Sequence, residues 1–330
     1  MADRTVTADT VLDVLSAWSV DSVIDISLDP IGTINQTWIV TADSGRYAVR
    51  LRRGRDGDRL KRECGLIAYA VSKGIAALEP ISTVSGECFE GNDSGLWTLT
   101  SFAPGFQNDR ESMSSAQDRG MGRCLARLLR GLSDCPRRLA KPQSFAVDVS
   151  RTLLEFNRCE DLIRAQDNQT RDETYALDRL NGRRRWIETH PEETTSGLTD
   201  LPQQVIHGDY QEKNVFFDDN GDVVALIDWE KACLAPSEWE IIRTLDLVMQ
   251  FDVERGKTFV EGYQEEAPLD LDTLDRAAWA YGVMRTHDLW LFREIYERGH
   301  DRVRRFLSPG PFRPIYDRWV PLRDKLTTLG

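Results

Sequence analysis

The stretch VIHGDYQEKNVFFDDNGDVVALIDWE, residues 205–230, concentrates the side chains that could do chemistry. Asp209 precedes Asn214 by five residues, and Asp228 follows after two apolar runs, VFF and VVALI, joined by DDNGD. Asn220-Gly221 is a strong hairpin turn, so the two runs predict paired strands that bring Asn214 close to Asp228. An amide and a carboxylate at one hairpin mouth, with a second carboxylate alongside, form a set of hard oxygen ligands suited to Mg²⁺. The remaining carboxylate can take a proton. Such a set suits phosphoryl transfer, in which the protein mainly positions metal, phosphates and an acceptor hydroxyl. His207, between apolar residues, reads as a satisfied core histidine.

Elements that could position this set are legible upstream. Val11, Leu12, Val14, Leu15 and Trp18 fall at helical spacing behind Thr7 or Asp9 as a cap. VIDISL, QTWIVT and RYAVRLR alternate or are β-branched, and predict three antiparallel strands, with a turn at DPIGTIN. Residues 58–73 predict a helix carrying Glu63. PISTVSGECFE and LWTLTSFAPG are expected as two more strands around GNDSG. That makes five strands and one inserted helix in residues 1–103, with Pro104 and Gly105 marking a boundary. Residues 104–330 are expected to be mostly helical: Met121, Cys124, Leu125, Leu128, Leu129 and Leu132 share one helix face. One or two surface helices fit 146–190, and helical spacing returns at 239–251 and 279–296.

Composition narrows the class. The 42 basic and 54 acidic residues leave a net charge of −12, which disfavours a nucleic-acid partner. Six scattered cysteines without a C-x-x-C pair suggest neither a zinc site nor a disulfide framework. No apolar run approaches a membrane span, and the first residues lack the pattern of a secretory leader, so a soluble cytoplasmic protein is expected. Eight acidic residues between 252 and 275, against Arg255 and Lys257, could draw in a cationic acceptor or simply form a solvated helix face. RTHDLWLFREIYERGHDRVRRF is read as an amphipathic helix, whose His287, Asp288 and Trp290 could line an acceptor cleft.

The D-x-x-x-x-N interval, the hairpin and the following Asp agree with the catalytic segment of protein kinases, with HGD and IDW in place of HRD and DFG. HGDYQEKN followed by ALIDWE resembles the aminoglycoside phosphotransferase family, which includes type II homoserine kinase, choline kinase and related sugar kinases. The resemblance covers about residues 25–250. It implies an α+β, two-lobed protein-kinase-like fold, with a five-stranded antiparallel N-lobe and a mostly helical C-lobe. It also implies ATP- and Mg²⁺-dependent phosphorylation of a hydroxyl on a small polar molecule. By this resemblance Asp209 is the general base or hydroxyl-orienting group, and Asn214 and Asp228 are the Mg²⁺ ligands. Arg50 stands where many relatives carry Lys and would steady phosphate oxygens. Glu63 would hold that basic residue, Glu240 would brace the catalytic loop, and Ser101 and Phe102 would enter the adenine hinge. The loop DPIGTINQT has one glycine, Gly32, and no G-x-G-x-x-G, so its grip would rest on backbone amides with Thr33 and Asn35. Leu129 replaces a histidine of many relatives. A protein Ser/Thr kinase is the rival disfavoured by the short segment after Asp228, and a nucleotide-sensing pseudokinase the one disfavoured by the intact Asp209, Asn214 and Asp228. The acceptor and the oligomeric state are open.

Overall fold

The structure is a computed structural model that describes residues 6–29, 36–166, 170–307 and 310–328. Gly32, Thr33 and Asn35 lie outside the described residues. In chain order the elements are α1 (Ala8–Leu15), β1 (Val23–Leu28), β2 (Gln36–Ala42), β3 (Gly45–Arg52), α2 (Gly57–Ser72), β4 (Glu90–Asn92), β5 (Gly95–Ser101), α3 (Ser115–Leu132), β6 (Lys141–Pro142), α4 (Val149–Arg164), α5 (Arg171–Thr189), α6 (Ser196–Thr199), β7 (Gln204–Ile206), β8 (Val215–Phe217), β9 (Val223–Leu226), β10 (Cys233–Ala235), α7 (Ser237–Leu247), α8 (Val253–Gln264), α9 (Leu271–His287), α10 (Trp290–Phe292) and α11 (Ile315–Thr327). The chain divides into two units. Unit 1 comprises Met1–Pro142, Gln204–Leu234 and Phe259–Ala267, and unit 2 the remainder.

Unit 1 contains a five-stranded antiparallel sheet in the order β1-β2-β3-β5-β4. Side chains alternate across a strand, so Val49 and Leu51 of β3 go to one face and Arg50 and Arg52 to the other. Trp38 and Val40 of β2 and Trp97 and Leu99 of β5 join the apolar face. There they pack with Val11, Val14, Leu15 and Trp18 from α1 and its end. Thr7 caps α1, with Thr7 and Thr10 bonding reciprocally. On α2, capped by Asp56, the buried positions Leu60, Glu63, Cys64, Ile67 and Ala70 recur at helical spacing, so Glu63 is carried inward with its apolar neighbours.

The expected strand at 80–90 shrinks to Glu90–Asn92. Thr83 N donates to Glu87 O at 2.8 Å, and Gly86 sits at φ +83°, so Ser85-Gly86 folds the segment back on itself. Turn chemistry wins there over β-branched composition.

The hairpin forms as read: β8 pairs antiparallel with β9, and Gly221 N donates to Asp218 O at 3.0 Å across the turn. Its tip lies against α3 where a Cβ on Gly120 would stand 2.0 Å from Gly221 O. Only a glycine admits that approach. A further finding concerns the acid-rich segment. Glu261, Glu265 and Glu266 meet a stripe on α3: Arg119 reaches Glu261 at 2.6 Å, Arg123 reaches Glu265 at 3.2 Å, and Arg127 and Arg130 reach Glu266 at 2.5 and 3.4 Å. These acids are neutralised within unit 1 and supply no free field for a cation.

Unit 2 is helical. Phe156, Ile163, Ala176, Leu180, Ile187, Phe292 and Tyr296 form its principal apolar cluster. The expected single helix through 285–306 is broken. α9 ends at His287, Asp288 Oδ1 accepts from Trp290 N at 2.8 Å to cap the next turn, and separate short turns follow at Arg293–Glu297 and Asp301–Phe306. The capping aspartate competes with helix continuation.

Glu173 is buried in unit 2, accepting from Thr170 and, at 2.8 Å, from Arg304. Burial alone would raise its carboxyl, but these donors outweigh it and hold the group down at about 2, against an ordinary 4.5. The stabilisation is therefore full above pH ~4.5 and is lost as pH falls toward ~2, and at neutral pH it amounts to about 3 kcal/mol. Glu173→Gln should lose that much in urea unfolding at pH 7, with the difference from the unsubstituted protein shrinking as pH approaches 2. A gap that stays constant with pH would contradict the account. Among the described residues no helix is long and apolar enough to cross a membrane.

Candidate active site

Asp209, Asn214, Asp228, Arg50 and Glu63 all lie in unit 1. Asp209 ends the turn after β7, and its carboxylate is almost fully buried. Its Oδ2 accepts from Gln211 Nε2 at 3.0 Å, Asn214 Nδ2 at 3.2 Å and Lys231 Nζ at 3.1 Å. Asn214 Nδ2 also donates to Asp209 O at 2.8 Å, and Asn214 O accepts from Ile227 N at 2.9 Å. That backbone bond joins the segment following Asp209 to the residue just before Asp228. With its nitrogen committed to Asp209, Asn214 keeps its Oδ1 for another partner.

Two backbone features aim these groups. Gly208 has φ +76°, and a Cβ there would stand 2.1 Å from Lys231 O, so the HGD turn and the segment after Asp228 approach more closely than any side chain would permit. Asp228 itself sits at φ +65°, ψ +61°, a left-handed conformation costing about 1 kcal/mol or more for a non-glycine residue. His207 is fully buried beneath them. Its Nδ1 accepts from Asp209 N at 3.3 Å, so Nε2 carries the proton and donates to Ile227 O at 3.1 Å. The ring packs edge-on against Trp229 at 4.7 Å.

Strand β3 meets this group from its polar face. Arg50 Nη2 lies 3.1 Å from Asp228 Oδ1, while its Nε is buried with no hydrogen-bond partner among the described residues. Glu63 pairs with Arg52 and not with Arg50 as the sequence reading expected: Arg52 donates through Nη1 at 2.6 Å and through Nη2 to the other oxygen. Both arginines project from one face two residues apart. The buried face of α2 takes Arg52, which leaves Arg50 to Asp228. Burial would lower the Arg52 proton affinity, yet Glu63, with help from Glu230 and Asp228, holds it above the ordinary value. Glu230 stands 4.0 Å from both arginines and 3.4 Å from Arg59.

At the end of β5, Ser101 is exposed and pairs with Tyr47. Phe102 N donates to Arg46 O at 2.9 Å, and the Arg46 guanidinium lies 3.9 Å from the centre of the Phe102 ring. Phe106 and Phe217 then exchange backbone bonds at 3.0 and 2.8 Å, tying the following segment to β8. Glu240 is fully buried on α7, in unit 2, and Leu129 is a core residue of α3. Lys231 and Gln211, both on Asp209, escaped the sequence reading. Their only signal was position, two residues after one aspartate and three after the other.

The sequence pattern of APH, described as the phosphotransferase enzyme family, matches residues 25–279. The chain belongs to this family. As a member of the phosphotransferase enzyme family it is a small-molecule kinase. A homoserine kinase of Caulobacter vibrioides is 23% identical over 244 residues, covering 72% of this chain and 71% of that protein. The structure of spectinomycin phosphotransferase with ADP and spectinomycin superposes with a TM-score of 0.70 at 13% identity, covering 97% of this chain and 99% of the other. An aminoglycoside phosphotransferase from Alicyclobacillus acidocaldarius gives 0.71 at 12%, with 99% and 98% covered. This phosphotransferase shares their protein-kinase-like fold, with the five-stranded antiparallel sheet as the N-lobe and a mostly helical C-lobe.

Proposed function

We propose that this phosphotransferase moves the γ-phosphoryl group of ATP, with Mg²⁺, to a hydroxyl of a small polar molecule. The observation that carries the reading is that Asn214 bonds Asp209, Arg50 bonds Asp228, and the Ile227 N–H donating to Asn214 O ties the two pairs together. In this reading Asp209 accepts or orients the acceptor hydroxyl. Asn214 Oδ1 and the Asp228 carboxylate hold the metal, whose remaining positions suit phosphate oxygens and water. A carboxylate and an amide oxygen, with the amide nitrogen turned away to Asp209, suit a hard cation. Bound Mg²⁺ would neutralise charge on the transferring phosphates.

Arg50 exchanges Asp228 for phosphate oxygens, its unpartnered Nε adding a second donor for a bidentate grip. Ser101 and Phe102 border the base, and Gly32, Thr33 and Asn35 cover the phosphates. Use of ATP as donor supports a cytoplasmic enzyme. Acceptors named for relatives, homoserine and spectinomycin, define a starting panel, to which choline-like amino alcohols and sugars are added. The test is Mg²⁺-dependent ADP release across that panel. Turnover with one class supports the reading, and bound nucleotide without turnover on any acceptor counts against it.

Lys231 has a role of its own here. Its ammonium touches Asp209 while the side chain is about two-thirds exposed, so it can follow charge as it develops on the transferring group. Lys231→Met should lower kcat about tenfold, the worth of one charge-assisted hydrogen bond, with nucleotide affinity unchanged. An unaltered kcat would confine Lys231 to the surface.

A further inference from the structure

One part of unit 2 sets guanidiniums side by side with fewer carboxylates between them. Arg183 on α5 donates to the Asp288 backbone carbonyl, and Arg285 on α9 donates to Asp288 Oδ2 at 2.7 Å. Two guanidiniums thus meet at one residue, and only one of them has its carboxylate. The Nε–H groups of both are buried with no hydrogen-bond partner. Arg179, one turn before Arg183, makes no hydrogen bond or ion pair among the described residues. Arg318 on α11 takes Asp246 at 2.9 Å, an acid that also accepts from Tyr281 at 2.9 Å. Four guanidiniums, Arg179, Arg183, Arg285 and Arg318, therefore share two carboxylates, Asp246 and Asp288.

The repulsion is felt at Arg179 and Arg183, whereas Tyr281, Asp246 and Asp288 hold Arg285 above its ordinary value. Burial, then Arg285 and Arg179, bring the Arg183 proton affinity down to about 10 despite Asp288. Burial and then Arg318 lower that of Arg179. Yet solvent reaches the group: Arg285 and Asp288 are each about one-third exposed, and Arg179 and Arg183 are half-buried. Further along the same α5 face, Trp186 and His190 line a cavity of about 290 Å³ with Trp279 and Tyr316. Uncompensated enclosed charge is costly, and planar guanidinium forks match carboxylate and phosphate oxygens.

We infer that Arg179, Arg183 and Arg285 form a binding site for the carboxylate or phosphate group of a small molecule. An incoming anion supplies the negative charge these guanidiniums lack, Arg179 having no hydrogen-bond or ion-pair partner among the described residues. The ligand is anionic, unlike the cationic acceptor that the acid-rich segment first suggested. The anion's source is either the acceptor of the proposed reaction or a separate metabolite. In the first case the inference rests on that reaction.

Thermal unfolding tests the site on the whole chain saturated with ADP and Mg²⁺, using inorganic phosphate and succinate as probes. One probe or both should raise the midpoint by a few degrees. Arg179→Met should raise the anion-free midpoint, because a repelled cation is removed, and should lose most of the probe-induced rise. Arg183→Met should abolish the rise. Arg179, with no partner to orphan among the described residues, keeps the test valid if Arg183→Met fails to fold. No rise with either probe, or the same rise in Arg179→Met, would overturn the inference.

Steady-state kinetics then separates the sources. A KM for acidic acceptors raised about tenfold in Arg179→Met, with KM for ATP unchanged, assigns the anion to the acceptor. Unchanged acceptor kinetics with the probe response lost assigns it to a separate molecule. Failure of ADP release on every acceptor would remove the kinase reading and leave the unfolding result standing.

Discussion

Asp209→Asn should lower kcat about 10³-fold, within the range supplied by a positioned proton acceptor, while the affinity for ADP stays within about twofold of the unsubstituted enzyme. The substitution preserves shape and removes charge. Asp209 Oδ2 gathers Gln211, Asn214 and Lys231 within 3.2 Å, an arrangement that fixes the carboxylate and aims it. Asparagine can keep some of those bonds through its carbonyl oxygen, but it cannot take a proton from a hydroxyl at neutral pH. Arg50 and Asp228 are untouched by the change, so nucleotide binding should persist. Parallel measurements of ADP affinity and of phosphorylated product would check the division of roles. A variant retaining full turnover would remove Asp209 from the reaction, and one that lost ADP binding would make it a structural residue.

The second large effect falls on stability. Glu63→Leu should cost about 3–5 kcal/mol, because it strands Arg52 as an enclosed charge. The two side chains are only 12% and 8% exposed and share two hydrogen bonds. Arg52→Met combined with Glu63→Leu should recover most of the loss, since a well-packed apolar pair replaces the ion pair. Arg50→Met provides the contrast. Arg50 is 23% exposed with one close carboxylate, so its removal should shift stability by less than ~1 kcal/mol and raise KM for the nucleotide about tenfold. Urea unfolding of the four proteins, alongside nucleotide kinetics, would decide. If Glu63→Leu weakened nucleotide use without loss of stability, the pairing of Glu63 with Arg52 would be the wrong account.

The local chemistry of the chain was legible from its residues. Period-two alternation located β1 and β3, β-branched and aromatic composition located β2, Asn220-Gly221 fixed the hairpin, and helical spacing found the inner face of α3. These signals are local, arising from backbone sterics and from burying one face of an element. The D-x-x-x-x-N interval with its following aspartate pointed to phosphoryl transfer, and the family match bears out the small-molecule kinase class. Where local signals compete, the reading failed: Ser85-Gly86 turned a strand-like run back on itself, and Asp288 capped a new turn inside an expected helix.

Partner choice needed the tertiary structure. Arg50 and Arg52 are two residues apart on one strand face, and nothing in their order says which one meets Glu63 on α2 and which meets Asp228. Likewise Glu261, Glu265 and Glu266 formed a plain acidic run until α3 set four arginines against them. The reverse holds for Arg179, Arg183 and Arg285, ordinary surface-helix cations in sequence that packing gathers into one enclosed, underneutralised group. A charge interacts through space over several ångströms regardless of separation along the chain, so composition supplies the ions and the packed fold alone decides which are neutralised and which await a ligand.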